Sequence, residues 1–232
     1  WGRTGLTSMK RAFKDCGNLK RIPSDNTEAF AQITDFTAAF NSCETLEAIP
    51  EGLFDAATGV TTLTETFDGC TAITEVPAEL LYNLPALTNV QSLLRSTSIA
   101  QIDENFFSHN PELTNASIIF SMNKGGLTTL PEKLFANNPK ITTVNSLLAN
   151  TATFESVPAG LFANNPVIDE FRMVFASTGL KSIPEGLFAN NKEVTSFQAA
   201  FQNTKIQSIP ADLFAGCEKV ETFMTCFSGC SE

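Results

Sequence analysis

Every 26 to 28 residues the chain returns to an aliphatic side chain followed by proline: Ile22-Pro23, Ile49-Pro50, Val76-Pro77, Leu130-Pro131, Val157-Pro158, Ile183-Pro184 and Ile209-Pro210. Ile102-Asp103 fills the one gap of 53–54 residues, and every later anchor then falls into step. A fixed period of that length restricts the fold to a stacked array, because a unit this short cannot bury its apolar face except against its neighbours.

The other apolar positions keep the same phase. A Leu-Phe-like pair follows each Ile-Pro: Leu53-Phe54, Leu80-Leu81, Phe106-Phe107, Leu134-Phe135, Leu161-Phe162, Leu187-Phe188 and Leu213-Phe214. An apolar triplet comes next, as in Val60-Leu63-Phe67 and Val194-Phe197-Phe201, and the chain opens on the same triplet in Leu6-Met9-Phe13 and Ile33-Phe36-Phe40. A small polar or thiol position closes each unit: Cys16, Cys43, Cys70, Thr97, Asn123, Thr151, Thr178, Thr204 and Cys230. Nineteen of the twenty Phe occupy apolar phases, which assigns them to a buried ladder and not to a binding stripe. Phe30 is the exception, and Asn26-Thr27 stand where Leu-Phe is expected, so an altered turn is predicted near the N-terminal end.

Local patterns predict an α/β coil. In Val194 to Phe201 the apolar residues recur at helical spacing, and Pro184 to Asn191 begins with a helix-starting Pro and ends in Asn, so both read as short helical segments. The stretch Lys205-Ile206-Gln207-Ser208-Ile209 is the expected strand, since the residue before Pro is pushed toward the β region. The competing placement puts the strand at the Phe-x-x-x-Phe segment. Either way nine coils stacked at about 4.8 Å per step form a parallel sheet on the order of 40 Å long.

Composition removes several function classes. With 25 acidic against 15 basic residues the net charge is −10, which disfavours nucleic acid and anionic membranes as partners. No apolar run approaches the roughly 20 residues of a transmembrane span, and the opening Trp1-Gly2-Arg3-Thr4-Gly5 does not read as a signal peptide. One His leaves no Ser-His-Asp arrangement, so no catalytic residue, cofactor or metal site is expected, and His109 reads as a solvated turn residue. Gly125-Gly126 in the longest repeat reads as an inserted turn, not a phosphate loop. Asn115-Ala116-Ser117 matches a glycosylation acceptor, but Ala116 lies on an apolar phase. Cys16, Cys43 and Cys70 share their phase with Thr and Asn, so they are expected to be free thiols that hydrogen-bond turn backbone. Disulfides are disfavoured because Cβ vectors on stacked rungs run parallel, and zinc for want of a Cys-x-x-Cys pair. The oxidation state of Cys217, Cys226 and Cys230 stays open.

The segments Ala12-Phe13-Lys14-Asp15-Cys16-Gly17-Asn18-Leu19-Lys20-Arg21-Ile22-Pro23 and Phe40-Asn41-Ser42-Cys43-Glu44-Thr45-Leu46-Glu47-Ala48-Ile49-Pro50 resemble the A-F-x-x-C-x-x-L-x-x-I-P repeat of the BspA-like leucine-rich-repeat surface proteins of oral and gut bacteria. They are also similar to the repeats of mycoplasma lipoproteins. The resemblance implies a right-handed curved solenoid of about eight repeats, forming a single domain over 1–232 and extracellular or exposed on the cell envelope. It further implies a non-enzymatic binding or adhesion scaffold for protein or glycan partners. A structural spacer with no ligand of its own is the alternative.

If the strand precedes Ile-Pro, the outward row Arg21, Ala48, Glu75, Gln101, Thr129, Ser156, Ser182 and Ser208 is the candidate contact face. It lacks an aromatic anchor, which points to a weak or polar contact surface. Glu51, Glu132, Glu185 and Asp212 follow the Pro turns, where they favour the start of a short helix. Neither end carries an evident polar cap, so the chain is expected to be part of a longer protein or to pair its end coils with another chain.

Overall fold

The computed structural model describes residues 5–25 and 27–230; Asn26 lies outside them, as does the opening Trp1 to Thr4. Eight parallel bridges join Ser8 to Asp35, then Thr62, Asn89, Asn115, Thr143, Glu170, Ser196 and Thr222 in an unbroken series. Each bridged residue immediately precedes the first apolar residue of the Phe-x-x-x-Phe segment. The sheet-like ladder therefore sits there, and the expected strand before Ile-Pro is displaced. The physical reason is the supply of donors. Phe36, Ala38, Phe40 and Ser42 send their N–H groups to the carbonyls of Thr62, Thr64, Thr66 and Asp68 at 3.4, 2.8, 2.9 and 2.7 Å, a complete alternate row. Before Ile-Pro far fewer cross, such as Glu47 to Lys20 and Lys205 to Leu180, and the Pro that follows has no N–H to give.

The ladder segment is not helical either. Ala39 donates to Phe36 and Cys43 to Phe40 across turns whose third residues, Ala38 and Ser42, have φ of 54° and 60°. A left-handed third residue is the type II turn signature. The same pair of left-handed positions, four apart, recurs in all nine coils, from Arg11 and Asp15 to Thr225 and Gly229. A chain of such turns repeats its side-chain directions every three to four residues, so it mimics helical spacing while directing alternate N–H groups at the next coil.

The expected helix after each Pro is likewise a run of single turns, with Leu80 donating to Pro77 and Tyr82 to Glu79. Among the described residues the one helix is the 3-10 segment Thr27–Phe30. It replaces the missing Leu-Phe pair by swinging Phe30 inward, where the ring is fully buried and meets Phe36 edge-on with centroids 5.4 Å apart.

One core runs the length of the stack. Phe13, Phe40 and Phe67 stack face to face at 5.3 and 5.5 Å. Phe171, Phe197 and Phe223 do so at 5.6 and 5.7 Å, and Phe175, Phe201 and Phe227 at 5.6 and 5.3 Å. Burying each ring contributes about 1.5–3 kcal/mol, and each ring pair adds about 0.5–1.5 kcal/mol.

Candidate functional site

The seven contact candidates Arg21, Glu75, Gln101, Thr129, Ser156, Ser182 and Ser208 are all exposed, along the line that leads into Ile-Pro. They do not lie on the bridged face. Glu75 and Gln101 line a concavity together with Val76, Ala78, Ile102, Asp103 and Glu104.

That concavity continues on both sides. Ala78 also lines a cleft with Glu51, Gly52, Asp55, Pro77 and Glu79, and a third with Glu79, Tyr82, Asp103, Asn105, Ser108 and His109. Ala78 holds the phase occupied by Glu51 in the coil before and Glu104 in the coil after, so one small side chain between two long ones opens the surface. The groove gathers Glu51, Asp55, Glu75, Glu79, Asp103 and Glu104 without a Lys or Arg in its lining. Asp103 shapes the turn where other repeats use Pro: its Oδ1 accepts the Asn105 N–H at 2.8 Å, a side-chain turn in place of a ring constraint. At the end of the groove the Tyr82 and His109 rings lie 3.7 Å apart with an interplanar angle of 36°. Tyr82 is 50% exposed, and His109 Nδ1 pairs with Ser108 Oγ at 2.9 Å. Sequence phase alone missed this aromatic pair, because the two residues occupy neighbouring phases on adjacent coils and meet diagonally.

The bridged face presents a different surface. Ser8, Asp35, Asn89, Asn115, Ser196 and Thr222 each accept, through a side-chain oxygen, the N–H two residues ahead at 2.7 to 3.2 Å. These short polar side chains satisfy their own turn, which explains why Ser, Thr, Asn and Asp dominate that phase. Asn115 of the glycosylation-like triplet is one of them and is part-buried, with Ala116 fully buried behind it.

The small polar or thiol row lies inside from Cys43 to Thr204. Cys43 donates to the carbonyl of Phe13, Cys70 to Phe40, Thr151 to Phe120 and Cys230 to Phe201, at 2.9 to 3.2 Å. Thr97, Thr178 and Thr204 donate to Leu94, Phe175 and Phe201 at 2.7 to 2.8 Å. Asn123 receives no such role; its Oδ1 accepts the Gly125 N–H and holds the inserted turn. Burial pushes the Cys43 thiol up to about 11 and the Cys70 and Cys226 thiols up to about 12, and Cys217 is raised for the same reason. Cys16 is exposed. No group of three or more His, Cys, Asp or Glu among the described residues could hold a metal ion.

A second polar row escaped the sequence reading. Asn138 Nδ2 donates to the carbonyls of Phe107 and Asn110, Asn165 to Phe135 and Asn138, and Asn191 to Phe162 and Asn165, all between 2.8 and 3.2 Å. Asn110 opens the row on Leu81 and Leu84. The signal is the second Asn of the repeated Phe-Ala-Asn-Asn run, whose suitability as a helix stop masks its place in the core.

No curated protein sequence matches the chain. Among solved structures, the Toll–Spatzle complex from Drosophila matches with a TM-score of 0.61 at 17% identity, over 89% of this chain and 30% of that one. The chain thus spans about a third of the length of that relative. A leucine-rich repeat protein from Bacteroides ovatus matches at 15% identity and a TM-score of 0.40, over 95% of this chain and 68% of that one. The first likeness carries the fold, and no helix among the described residues is long and apolar enough to cross a membrane. The family described as BspA type Leucine rich repeat region matches in six copies across residues 26–168 and 126–231, and with nearly the whole array inside those spans the chain belongs to that family.

Proposed function

We propose that this chain is a non-enzymatic interaction scaffold, a right-handed curved solenoid displayed outside the cell membrane, whose acidic groove takes a protein segment rich in Lys or Arg. One observation carries the reading: six carboxylates and an exposed Tyr82–His109 pair converge on the concavity that Ala78 opens, with no basic side chain in its lining. Carboxylates of one sign steer a basic partner, and an aromatic shelf offers Lys or Arg a cation–π contact of about 0.5–2 kcal/mol. Adhesion at the cell surface and glycan contact rest on the family resemblance. The Toll–Spatzle likeness adds that this architecture can carry protein recognition.

The test is a binding screen of the purified chain against extracellular matrix proteins, glycans and basic peptides, repeated with Ala78→Arg, which fills the groove and reverses its sign. Saturable binding that weakens with salt and drops at least tenfold in Ala78→Arg supports the reading. Binding that ignores the substitution refutes the groove, and silence across the screen favours the spacer role.

A further inference from the structure

Tyr82 and His109 depart from the repeat at neighbouring phases of adjacent coils, and the core uses neither. The phase of Tyr82 carries alanine in four other coils, at Ala136, Ala163, Ala189 and Ala215. The phase of His109 carries Asn83 and Asn190, whose amides donate one coil back, to Asp55 Oδ1 at 3.1 Å and to the Ala163 carbonyl at 3.0 Å. His109 lays its ring on Tyr82 instead, and rings with centroids only 3.7 Å apart meet face to face. His109 therefore backs one face of the phenol. Half of Tyr82 stays exposed, and its hydroxyl has no hydrogen bond among the described residues. An aromatic ring left half in water is the kind of surface that binding interfaces use.

Charge around the pair is uncompensated. Elsewhere Glu112, Glu155 and Glu193 each take a lysine from the next coil, Lys140, Lys181 and Lys219, at 2.5 to 2.8 Å. Glu79 and Asp103 line one concavity with Tyr82 and His109, and neither has an ion pair among the described residues. Asp103 engages only Oδ1, on the Asn105 N–H. An open aromatic face and two unpaired carboxylates thus share one small hollow.

We infer that this end of the groove is a subsite for one arginine side chain. Its guanidinium plane stacks on the open face of Tyr82, and its N–H groups are shared between the carboxylates of Glu79 and Asp103. The inference deepens the reading of the groove as a surface for a basic segment, and rests on it. Stacking combined with forked donation belongs to arginine, a planar and weakly hydrated cation that lies flat on a ring while donating in its own plane. A lysine ammonium is a compact, strongly hydrated point charge with no plane to stack, and at a half-exposed ring it keeps its water shell. The concavities toward Glu51 and Glu104 hold carboxylates without an aromatic ring and do not discriminate in this way. The Tyr82 end chooses arginine.

The chain holds one Tyr and one His, so their ring protons report this subsite by NMR without competing signals of the same kind. Titration of the purified chain with N-acetylarginine amide should move both rings along one saturable curve. N-acetyllysine amide should bind at least about threefold more weakly, and N-acetylcitrulline amide, which keeps the plane and loses the charge, at least about tenfold more weakly. Tyr82→Leu should abolish the arginine response, read at His109. Glu79→Gln with Asp103→Asn should weaken it about tenfold, while the new amide keeps the oxygen that holds the Asn105 turn. Unchanged circular dichroism and melting show that both variants remain folded.

Rings that stay still in the arginine titration overturn the inference, as do equal responses to lysine or citrulline. So does a response that survives both variants, or a neutral monosaccharide that moves the rings as far as arginine does. Failure of the groove reading looks different. A basic segment whose binding is lost in Ala78→Arg, while the arginine amide leaves Tyr82 and His109 unmoved, keeps the groove and removes the subsite. Rings that answer arginine selectively, in a chain that captures no basic segment, keep the subsite and remove the wider groove.

Discussion

Cys70 donates its thiol hydrogen to the carbonyl of Phe40, thirty residues earlier and one coil back, at 3.1 Å. The bond explains why Thr holds the same phase elsewhere, as in Thr151 donating to Phe120. Cys70→Thr should therefore change stability by less than about 1 kcal/mol, while Cys70→Ala, which removes the donor, should cost about 1–2 kcal/mol. Thermal or urea unfolding of the two variants side by side checks the contrast.

The same burial makes stability depend on alkaline pH. The folded-state thiol values of Cys70 and Cys226, about 12, stand above the 9.0 of an unperturbed thiol. The folded state therefore holds protons that the unfolded chain releases. Their contribution is complete below pH 9 and declines as pH rises toward 12. Urea midpoints measured from pH 8 to 11 should fall above 9, and by less in a Cys70→Thr variant. Iodoacetamide at pH 8 should label exposed Cys16 first and reach Cys70 only in denaturant.

Asn138 ties two buried carbonyls of the preceding coil, so Asn138→Leu should cost about 2 kcal/mol despite its similar size. Cys217 occupies the next rung beyond Asn191, where its sulfur lies 3.8 Å from the carbonyls of both Phe188 and Asn191. Cys217→Asn supplies two amide donors there and should raise stability by about 1 kcal/mol. Differential scanning calorimetry of both variants reads the two signs.

Ala38 is buried at φ 54°, in the left-handed region that penalises a Cβ. Ala38→Gly should stabilise by about 0.5–1 kcal/mol and Ala38→Val should destabilise by at least as much. Urea midpoints that move the opposite way would count against the turn geometry assigned to all nine coils.

Gly125 fills the inserted turn against the preceding coil. A Cβ built there falls 1.6 Å from the Ser98 carbonyl oxygen, which is backbone and cannot swing aside. Gly125→Ala should cost about 2–4 kcal/mol, while Gly126, with open space around it, is constrained by its φ of 87° alone. Melting curves of Gly125→Ala and Gly126→Ala should differ accordingly.

What can be read from the amino-acid string follows from phase. The Ile-Pro interval, the Leu-Phe pairs and the Cys-or-Thr position each mark a place on a coil, and a period of 26 to 28 residues admits only stacking. That suffices for the solenoid and the buried Phe ladder. It fails at Val194 to Phe201, where helical spacing is produced instead by turns with left-handed residues at Ala199 and Asn203. Spacing reports where side chains return and not where the N–H groups point, and those are aimed along the stack. The groove is a similar case. Ala78, Glu51 and Glu104 share a phase in the string, but only the packed array shows that a small residue between two long ones opens a cleft, or that Tyr82 and His109 meet across coils. Periodicity by itself determined the axis of this protein and the identity of its core, because burial must repeat when the unit repeats. The tertiary structure alone decided which strip carries the ladder and where the acidic concavity lies, because each depends on contacts between coils that a single repeat does not contain.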